Sequence, residues 1–254
     1  MHILVVGGGM GGTILANNLA RRLSGELEQG SSKITMLSAT DKHMYQPGLL
    51  YVAVGKMSTT ELYRDQKSLL EPSIDFHVDP VEKFDMDNNS VTTKSGKKIS
   101  YDILCIATGS RGNAAGIPGL AENACQFYTE ADALAMYKKL QKFEGGKVVV
   151  ATGVPHKCPM SPLEITFFLV DYFKKRGIWD KVDLHYTYPI GRVHSLEPVA
   201  NWAAPEFDKL GITYETLFNM KEVVPGKVIS EEDSSAEFDL LVTVPPHKGQ
   251  QVIE

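Results

Sequence analysis

Cysteine is scarce in this sequence, and the few cysteines do not pair in a C-x-x-C spacing. Only three of the 254 residues are cysteine, which excludes a disulfide scaffold of the secreted type. Without a C-x-x-C spacing a structural zinc site has no basis, and no metal site is predicted. A small, odd number of thiols favours an intracellular protein whose cysteines are either inert or catalytic.

The sequence also lacks an excess of positive charge and any long apolar run. Acidic residues outnumber basic ones by 31 to 26, for a net charge of −5. Because nucleic-acid binders are usually basic, no nucleic-acid partner is predicted. The apolar runs fall far short of the roughly 20 residues that cross a bilayer. The first residues do not have the pattern of a cleaved signal, so we expect a cytoplasmic protein.

Short aliphatic runs alternate with segments of helical periodicity in both halves of the chain. In the first half, a strand at 3–6 precedes an amphipathic helix at 13–23. In the second half, strands at 147–151 and 182–188 flank a helix at 162–175. This alternation predicts an α/β fold with two parallel central sheets. Glycine and proline concentrate in 112–119, which predicts a linker, and the charged stretch 230–237 predicts a solvated hairpin tip.

A glycine-rich turn follows the first strand. Residues 7–12 read Gly-Gly-Gly-Met-Gly-Gly and satisfy G-x-G-x-x-G between a strand and a helix. In dinucleotide-binding folds the first glycine allows a tight turn, the second admits a diphosphate, and the third lets the helix pack on the strand. A glycine turn without a ligand is the alternative. The context favours a dinucleotide, with contacts at Gly7, Gly9, Met10 and Gly12.

Two features of the usual dinucleotide site are missing. The second strand ends at Ser38 rather than at an acidic residue, so Ser38, Thr40 or Asp41 is predicted to hold the ribose. After the strand at 147–151, Gly153 is the only glycine of the turn and Pro155 stiffens it. A diphosphate would meet side chains there, which argues against NAD(P)H binding in the second unit.

Cys158 is the strongest candidate for a reactive thiol. It lies just before the predicted helix at 162–175, next to His156 and Lys157. A helix N-terminus and neighbouring cations both favour the nucleophilic thiolate. Cys105 lies within an apolar strand and is interpreted as a buried core residue. For Cys125, a functional and a structural role remain equally open.

Five stretches of the chain resemble the sulfide:quinone oxidoreductases, which are flavoproteins with two dinucleotide-binding domains in the pyridine nucleotide-disulphide oxidoreductase superfamily. The first is the glycine turn, at 5–23. Residues 45–55 are similar to the segment beside the isoalloxazine ring, and 101–110 to the strand whose A-T-G end reaches the flavin. Residues 158–177 resemble the redox-cysteine loop and the helix after it, and 244–249 resemble the Pro-Pro turn.

The resemblance implies a mechanism with FAD as cofactor and with sulfide and a quinone as substrates. It implies that Cys158 is the thiolate facing the flavin, that Cys125 assists sulfur entry or release, and that Glu164 handles protons. The remaining cofactor contacts that it implies are Gln46, Pro47, Val81, Thr108 and Gly109.

The resemblance also implies two Rossmann-like domains: an FAD-binding domain at 1–112 and a second, NAD-like domain at 113–247 that carries the redox cysteine. Residues 248–254 would start the return to the first domain. Family members continue with a Gly-Asp segment, a third redox cysteine and membrane-gripping helices. We therefore expect a first domain that is incomplete at its C-terminal end, with an unpaired sheet edge and an exposed apolar face.

Several alternatives remain open. The chain could be a type II NADH dehydrogenase or a flavocytochrome-like sulfide dehydrogenase. It could also be a truncated FAD-binding paralogue or subunit without turnover. The resemblance further allows peripheral attachment to the inner face of the cell membrane, a homo-oligomer, or a complementing chain.

Overall fold

The computed structural model describes residues 1–253. Within this range no helix has the length and apolar character needed to cross a membrane. The helices are α1 (Met10–Arg22), α2 (Ser24–Glu28), α3 (Gly48–Ala53), α4 (Leu120–Asn123), α5 (Glu130–Lys142), α6 (Ser161–Lys175) and α7 (Glu197–Leu210). The strands are β1 (His2–Val6), β2 (Lys33–Ser38), β3 (Lys42–Met44), β4 (Tyr63–Asp65), β5 (Ile74–Val78), β6 (Val81–Asp85), β7 (Ser90–Thr93), β8 (Lys98–Ser100), β9 (Ile103–Ile106), β10 (Ser110–Gly112), β11 (Ala124–Cys125), β12 (Gly146–Thr152), β13 (Val182–Tyr188), β14 (Thr213–Thr216), β15 (Met220–Val224), β16 (Lys227–Ser230), β17 (Ser235–Glu237), β18 (Leu240–Val244) and β19 (His247–Gly249).

The chain forms two compact units. The first comprises residues 1–45, 60–111 and 249–253, and the second comprises 46–59 and 112–248. Each unit contains a parallel sheet, so the predicted α/β class is confirmed. The segment 46–59, which the predicted boundaries assign to the first domain, groups with the second unit because α3 packs against α5 and α6.

The first unit is built on a sheet in the order β5-β2-β1-β9, in which all neighbouring strands are parallel. The sheet is covered on both faces, which explains why β1 and β2 are continuous apolar runs rather than alternating patterns. One face packs on α1 and the other on the antiparallel sheet β6-β7-β8. The core on the α1 side includes Ile3, Val5, Ala16, Ala20, Ile34 and Met36, and the core on the other side includes Leu4, Val6, Leu37, Val91 and Tyr101.

Strand β9 forms an apolar edge of this sheet. In the described part of the chain its single neighbour is β1. Ile103 and Ile106 are 44% and 46% exposed, although Ile3 and Val6, their partners on β1, are buried. An uncovered apolar edge strand is unusual in a soluble domain. The expected unpaired edge with exposed apolar residues is therefore present in the first unit.

The second unit contains a five-stranded parallel sheet in the order β11-β18-β12-β13-β14 and an antiparallel sheet β15-β16-β17. The predicted hairpin tip at 230–237 is shorter in the structure, because the turn between β16 and β17 covers only 231–234 and Ser230, the end of β16, is buried. The predicted linker at 112–119 is wrong. Ala114 and Ile117 are each 8% exposed and belong to a buried cluster with Phe218 and Val223. Their apolar side chains pack into this core, and the glycine and proline content of the segment does not indicate such packing.

Two adjacent glycines of α1 provide a matched test of packing. A Cβ on Gly12 would lie 1.9 Å from the carbonyl oxygen of Gly7, whereas a Cβ on Gly11 would meet nothing within 4 Å. We expect Gly12→Ala to lower the free energy of unfolding by about 1–3 kcal/mol, because overpacking forces the backbone to shift. Gly11→Ala should raise it by up to about 1 kcal/mol, because it restricts the unfolded chain. Urea denaturation without added cofactor measures both, and equal effects would contradict the packing described.

Candidate functional site

The glycine turn packs against the end of β9. Gly7 has a φ of +118°, and a Cβ on it would lie 2.2 Å from the carbonyl oxygen of Ala107 and 3.0 Å from the amide nitrogen of Thr108. Only glycine fits this position, since both the backbone angle and the space exclude a side chain. The predicted contacts Thr108 and Gly109 therefore follow directly on the residue that abuts the turn.

The turn leads into an open helix N-terminus. Helix α1 begins at Met10, with Gly9 as an N-cap that offers no side-chain hydrogen bond, and its first turn has no acidic residue. A Cβ on Gly9 or Gly11 would meet nothing within 4 Å, and Met10 is half-exposed. The first amide groups of the helix are thus accessible at its positive end. This arrangement fits the diphosphate of a dinucleotide such as FAD.

The helix begins three residues before the predicted start at Thr13. Glycine is a poor helix former, so the periodic pattern emerges only after Gly12. The close contact of Gly12 with Gly7 decides the start instead, because it fixes the direction in which the helix leaves the turn.

A polar network that no sequence motif indicates holds the glycine turn in place. Nδ1 of His43 lies 3.1 Å from the carbonyl oxygen of Gly8 and 3.0 Å from Oε1 of Gln66, so this nitrogen is the donor. The fully buried Gln66 donates to Oγ1 of Thr13 over 2.8 Å. These residues come from three separate segments without a common motif, and together they fix the Gly8 carbonyl.

The predicted ribose contacts differ in accessibility. Ser38 is 5% exposed, and its hydroxyl accepts a hydrogen bond from the Thr40 amide over 3.3 Å. Thr40 and Asp41 are exposed at the end of β2. Of the three candidates, Thr40 and Asp41 are therefore the exposed ones. Val81, the predicted contact at the start of β6, is half-buried and packs against the core below the sheet.

In the second unit, Cys158 lies on the loop between β12 and α6 and is half-buried. Its carbonyl accepts a hydrogen bond from Oγ of Ser161 over 3.0 Å, and the same Oγ lies 2.6 Å from Oη of Tyr128. Burial raises the pKa of Tyr128 far above its usual range, and the charges of Cys158 and Glu164 add to this effect. The tyrosine thus remains a neutral hydrogen-bonding group near the thiol. Glu164 is exposed in the first turn of α6.

The cysteine loop is joined to the segment that the resemblance assigns to the flavin. Nζ of Lys157 donates to Oε1 of Gln46 over 2.6 Å. Gln46 precedes Pro47, the N-cap of α3. Helix α3 is anchored on α6 by the rings of Tyr51 and Phe168, whose centroids are 5.0 Å apart. The segment with two predicted cofactor contacts and the loop with the predicted reactive thiol are therefore linked within one unit through Lys157.

The turn after β12 leaves little room for a second dinucleotide. A Cβ on Gly153 would lie 2.6 Å from Cδ of Pro246, so this glycine is required for packing against the Pro-Pro turn. Its amide donates to the carbonyl of Val244 over 2.8 Å. These contacts support the prediction that the second unit does not bind NAD(P)H through a glycine turn.

The other two cysteines are in different surroundings. Cys125 lies on β11 opposite Val242 and is 5% exposed. Burial raises the pKa of its thiol, and a contact with Lys139 opposes this in part. Cys105, predicted to be a buried core residue, is half-buried and packs against the buried cluster of the first unit; burial raises its pKa as well. All three cysteines are free thiols.

Comparison with known proteins identifies the family. The family model of the pyridine nucleotide-disulphide oxidoreductases matches residues 1–244, so the chain belongs to this family. Its members are FAD-binding flavoproteins, in agreement with the predicted cofactor.

Relatives within this family confirm the resemblance seen in the motifs. The chain is 26% identical to the mitochondrial sulfide:quinone oxidoreductase of Mus musculus, covering 100% of this chain and 58% of that protein. It is 30% identical to the sulfide-quinone reductase of Aquifex aeolicus (strain VF5), covering 99% of this chain and 60% of that protein. The solved structure of the sulfide:quinone oxidoreductase from Aquifex aeolicus matches with a TM-score of 0.85 at 27% identity, over 99% of this chain and 60% of that one. The chain thus spans about three fifths of the length of these relatives.

The buried thiol of Cys125 leads to a pH-dependent stability. Its raised pKa keeps the proton on the folded chain at pH values where the unfolded chain, with a thiol pKa of about 8.5, loses it. This stabilising contribution is complete below the unfolded value and disappears as the pH rises. Between pH of about 8.5 and 9.5, the loss of this contribution should lower the free energy of unfolding by up to about 1.4 kcal/mol per pH unit.

Denaturant titrations across this pH range measure the effect. Cys125→Ala and Cys125→Ser should both lose that part of the slope. Val242→Ala, which removes packing from the paired strand without removing a titratable group, should keep it. Identical slopes in the wild type and in both Cys125 variants would contradict the argument.

Proposed function

We propose that this chain acts as an FAD-dependent oxidoreductase of the sulfide:quinone oxidoreductase type. Sulfide would be oxidised through sulfur bound to Cys158, with a quinone as the final electron acceptor. The observation that carries the proposal is the 2.6 Å hydrogen bond from Lys157 to Gln46. It ties the residue before the thiol to the segment that resembles the isoalloxazine-binding stretch of the family.

The residues of the first unit account for cofactor binding. The amides at the start of α1 would hold the diphosphate, and the open space at Gly9 and Gly11 admits it. Thr40 and Asp41 would hold the ribose. When bound, FAD supplies a two-electron acceptor that can pass electrons to a quinone.

The residues of the second unit account for the sulfur chemistry. Joining the sulfur of hydrosulfide to the thiolate sulfur of Cys158 forms one S–S bond and releases two electrons and one proton. The loop is held for this step by Ser161 and Tyr128 on one side and by Lys157 on the other. Lys157 also interacts electrostatically with Cys158, which favours the anionic forms of the sulfur. We assign Cys125 to sulfur entry or release and Glu164 to proton handling.

The quinone acceptor implies a cellular location for the chain. Quinones are apolar and reside in membranes, so the protein would meet its acceptor at a membrane surface, which we place at the inner face of the cell membrane. The exposed Ile103 and Ile106 of β9 provide a surface for a complementing chain or a second copy. Membrane contact and association through β9 are both independent of the redox assignment. Sedimentation with vesicles tests the first, and a measurement of molecular size in solution tests the second.

Anaerobic addition of sulfide to the flavin-loaded chain tests the assignment. We expect sulfide to bleach the oxidised-flavin absorption band of the wild type. Cys158→Ala should abolish the bleaching and retain bound FAD, because the thiol lies outside the residues that would hold the diphosphate. Cys105→Ala should keep the response, because the Cys105 side chain packs against the core of the first unit.

Three results would count against the proposal. Bleaching by NADH instead of sulfide would favour an NADH dehydrogenase. No response to either donor in a flavin-loaded sample would favour a non-catalytic flavoprotein. Bleaching that survives in Cys158→Ala would remove Cys158 from the reaction.

A further inference from the structure

A cavity in the second unit is lined by residues that the proposed function does not use. Its volume is about 430 Å³, and it lies between the loop after β12, the Pro-Pro turn, the segment after β10 and the start of β15. Small-molecule sites in proteins usually have volumes of about 300–1,000 Å³. The cavity is therefore large enough for a small organic ligand.

Two backbone hydrogen bonds join the walls of this cavity. The Asn113 amide donates to the Pro246 carbonyl over 2.6 Å, and the His247 amide donates to the Pro155 carbonyl over 2.7 Å. All four residues line the cavity. The walls are thus held in place without a ligand, which lowers the conformational cost of binding one.

His247 provides a buried hydrogen-bond acceptor at this cavity. The residue is 8% exposed, and its Nδ1 lies 2.8 Å from the carbonyl oxygen of Pro245. Because a carbonyl only accepts, Nδ1 carries the proton and Nε2 is the acceptor. Nε2 is buried and has no hydrogen-bond partner within residues 1–253. A buried acceptor of this kind calls for a donor that the chain itself does not supply.

The protonation of His247 selects the kind of ligand. Burial lowers the pKa of its imidazole, although the bond to the Pro245 backbone opposes this, so the ring is neutral at neutral pH. A quinone does not match a neutral acceptor, since its carbonyl oxygens also only accept hydrogen bonds. A ligand with a hydroxyl or an N–H group matches it.

The mouth of the cavity carries an excess of positive charge. Lys221, Lys248 and Glu231 line the cavity and are all exposed. Neither lysine forms an ion pair in the part of the chain that the structure describes. Two ammonium groups are opposed by a single carboxylate, and the neutral His247 adds no charge. The lining therefore favours an anionic ligand.

Most of the remaining lining is apolar. Ile117 and Met220 are each 8% exposed and belong to a buried cluster of the second unit. The other apolar lining residues are Val154, Pro155 and Pro246. Such a surface suits the carbon skeleton of a ligand, while the few polar groups fix its orientation.

We infer that this cavity binds a small organic carboxylate that carries a hydrogen-bond donor. The carboxylate interacts with Lys221 and Lys248 at the mouth, and the donor bonds to Nε2 of His247. The carbon skeleton packs against Ile117 and Met220. The inference does not depend on the proposed function, because no flavin contact and no reacting thiol takes part in it.

Binding of 4-hydroxybenzoate to the full chain in the presence of excess FAD tests the inference. This probe has a carboxylate, an apolar ring and a hydroxyl donor, and the excess FAD keeps it from the nucleotide site. Isothermal titration calorimetry at low salt should show saturable binding at one site per chain. Benzoate, which lacks the hydroxyl, should bind about tenfold more weakly, because a buried hydrogen bond is lost. Added salt should weaken the binding of both probes.

Four variants assign the binding to this cavity. His247→Phe should weaken the binding of 4-hydroxybenzoate about tenfold and leave that of benzoate unchanged, because only the hydroxyl uses Nε2. Lys221→Gln and Lys248→Gln should each weaken the binding of both probes about threefold. Lys138→Gln, which removes an exposed lysine of α5 outside the cavity, should bind both probes like the wild type.

Three results would overturn the inference. The first is the absence of saturable binding of 4-hydroxybenzoate to the wild type. The second is a loss of affinity in Lys138→Gln equal to that in Lys221→Gln and Lys248→Gln. The third is an equal loss for both probes in His247→Phe. The lysine variants change exposed side chains, so they keep the inference testable if His247→Phe does not fold.

Discussion

Parallel pairing of strands is the constraint on which both candidate sites depend. Strands that run in the same direction end at the same edge of the sheet, and the loops after them come together there. In the first unit, β1 and β9 end together, which brings the glycine turn against Ala107 and Thr108. In the second unit, β12 and β13 end together, which brings the cysteine loop beside Tyr188. Each site is assembled from segments distant in sequence because of this one geometric rule.

Much of this arrangement could be predicted because local patterns and backbone requirements coincide. The strand at Val182–Tyr188 has the predicted bounds, since its aliphatic and aromatic residues are bounded by clear turn signals. The glycine turn could be predicted because the chemistry of a diphosphate site demands small residues at fixed spacing. The thiol loop was found from the charges next to Cys158 and from the helix that follows.

The rest could not be predicted because it depends on contacts between distant residues. Segment 46–59 joins the second unit through packing of α3 on α6, which no local pattern encodes. His43 and Gln66 support the glycine turn, and each is an ordinary polar residue in its own segment. Tyr188 has the spacing of a strand residue, and only the register of β13 against β12 brings its hydroxyl to His156.

The two edges of the parallel sheet in the first unit differ in their protection against pairing with a foreign strand. At the β5 edge, Asp75 forms an ion pair with Lys33 at 2.7 Å and lies 2.8 Å from Nε2 of His77, and charges of this kind discourage the addition of a foreign strand. At the β9 edge, the strand itself carries no charged side chain, and isoleucines project from both of its faces. Any self-association at high protein concentration should therefore be directional, starting at β9 and sparing β5. A lysine introduced on β9 would consequently improve solubility more than the same change elsewhere on the surface.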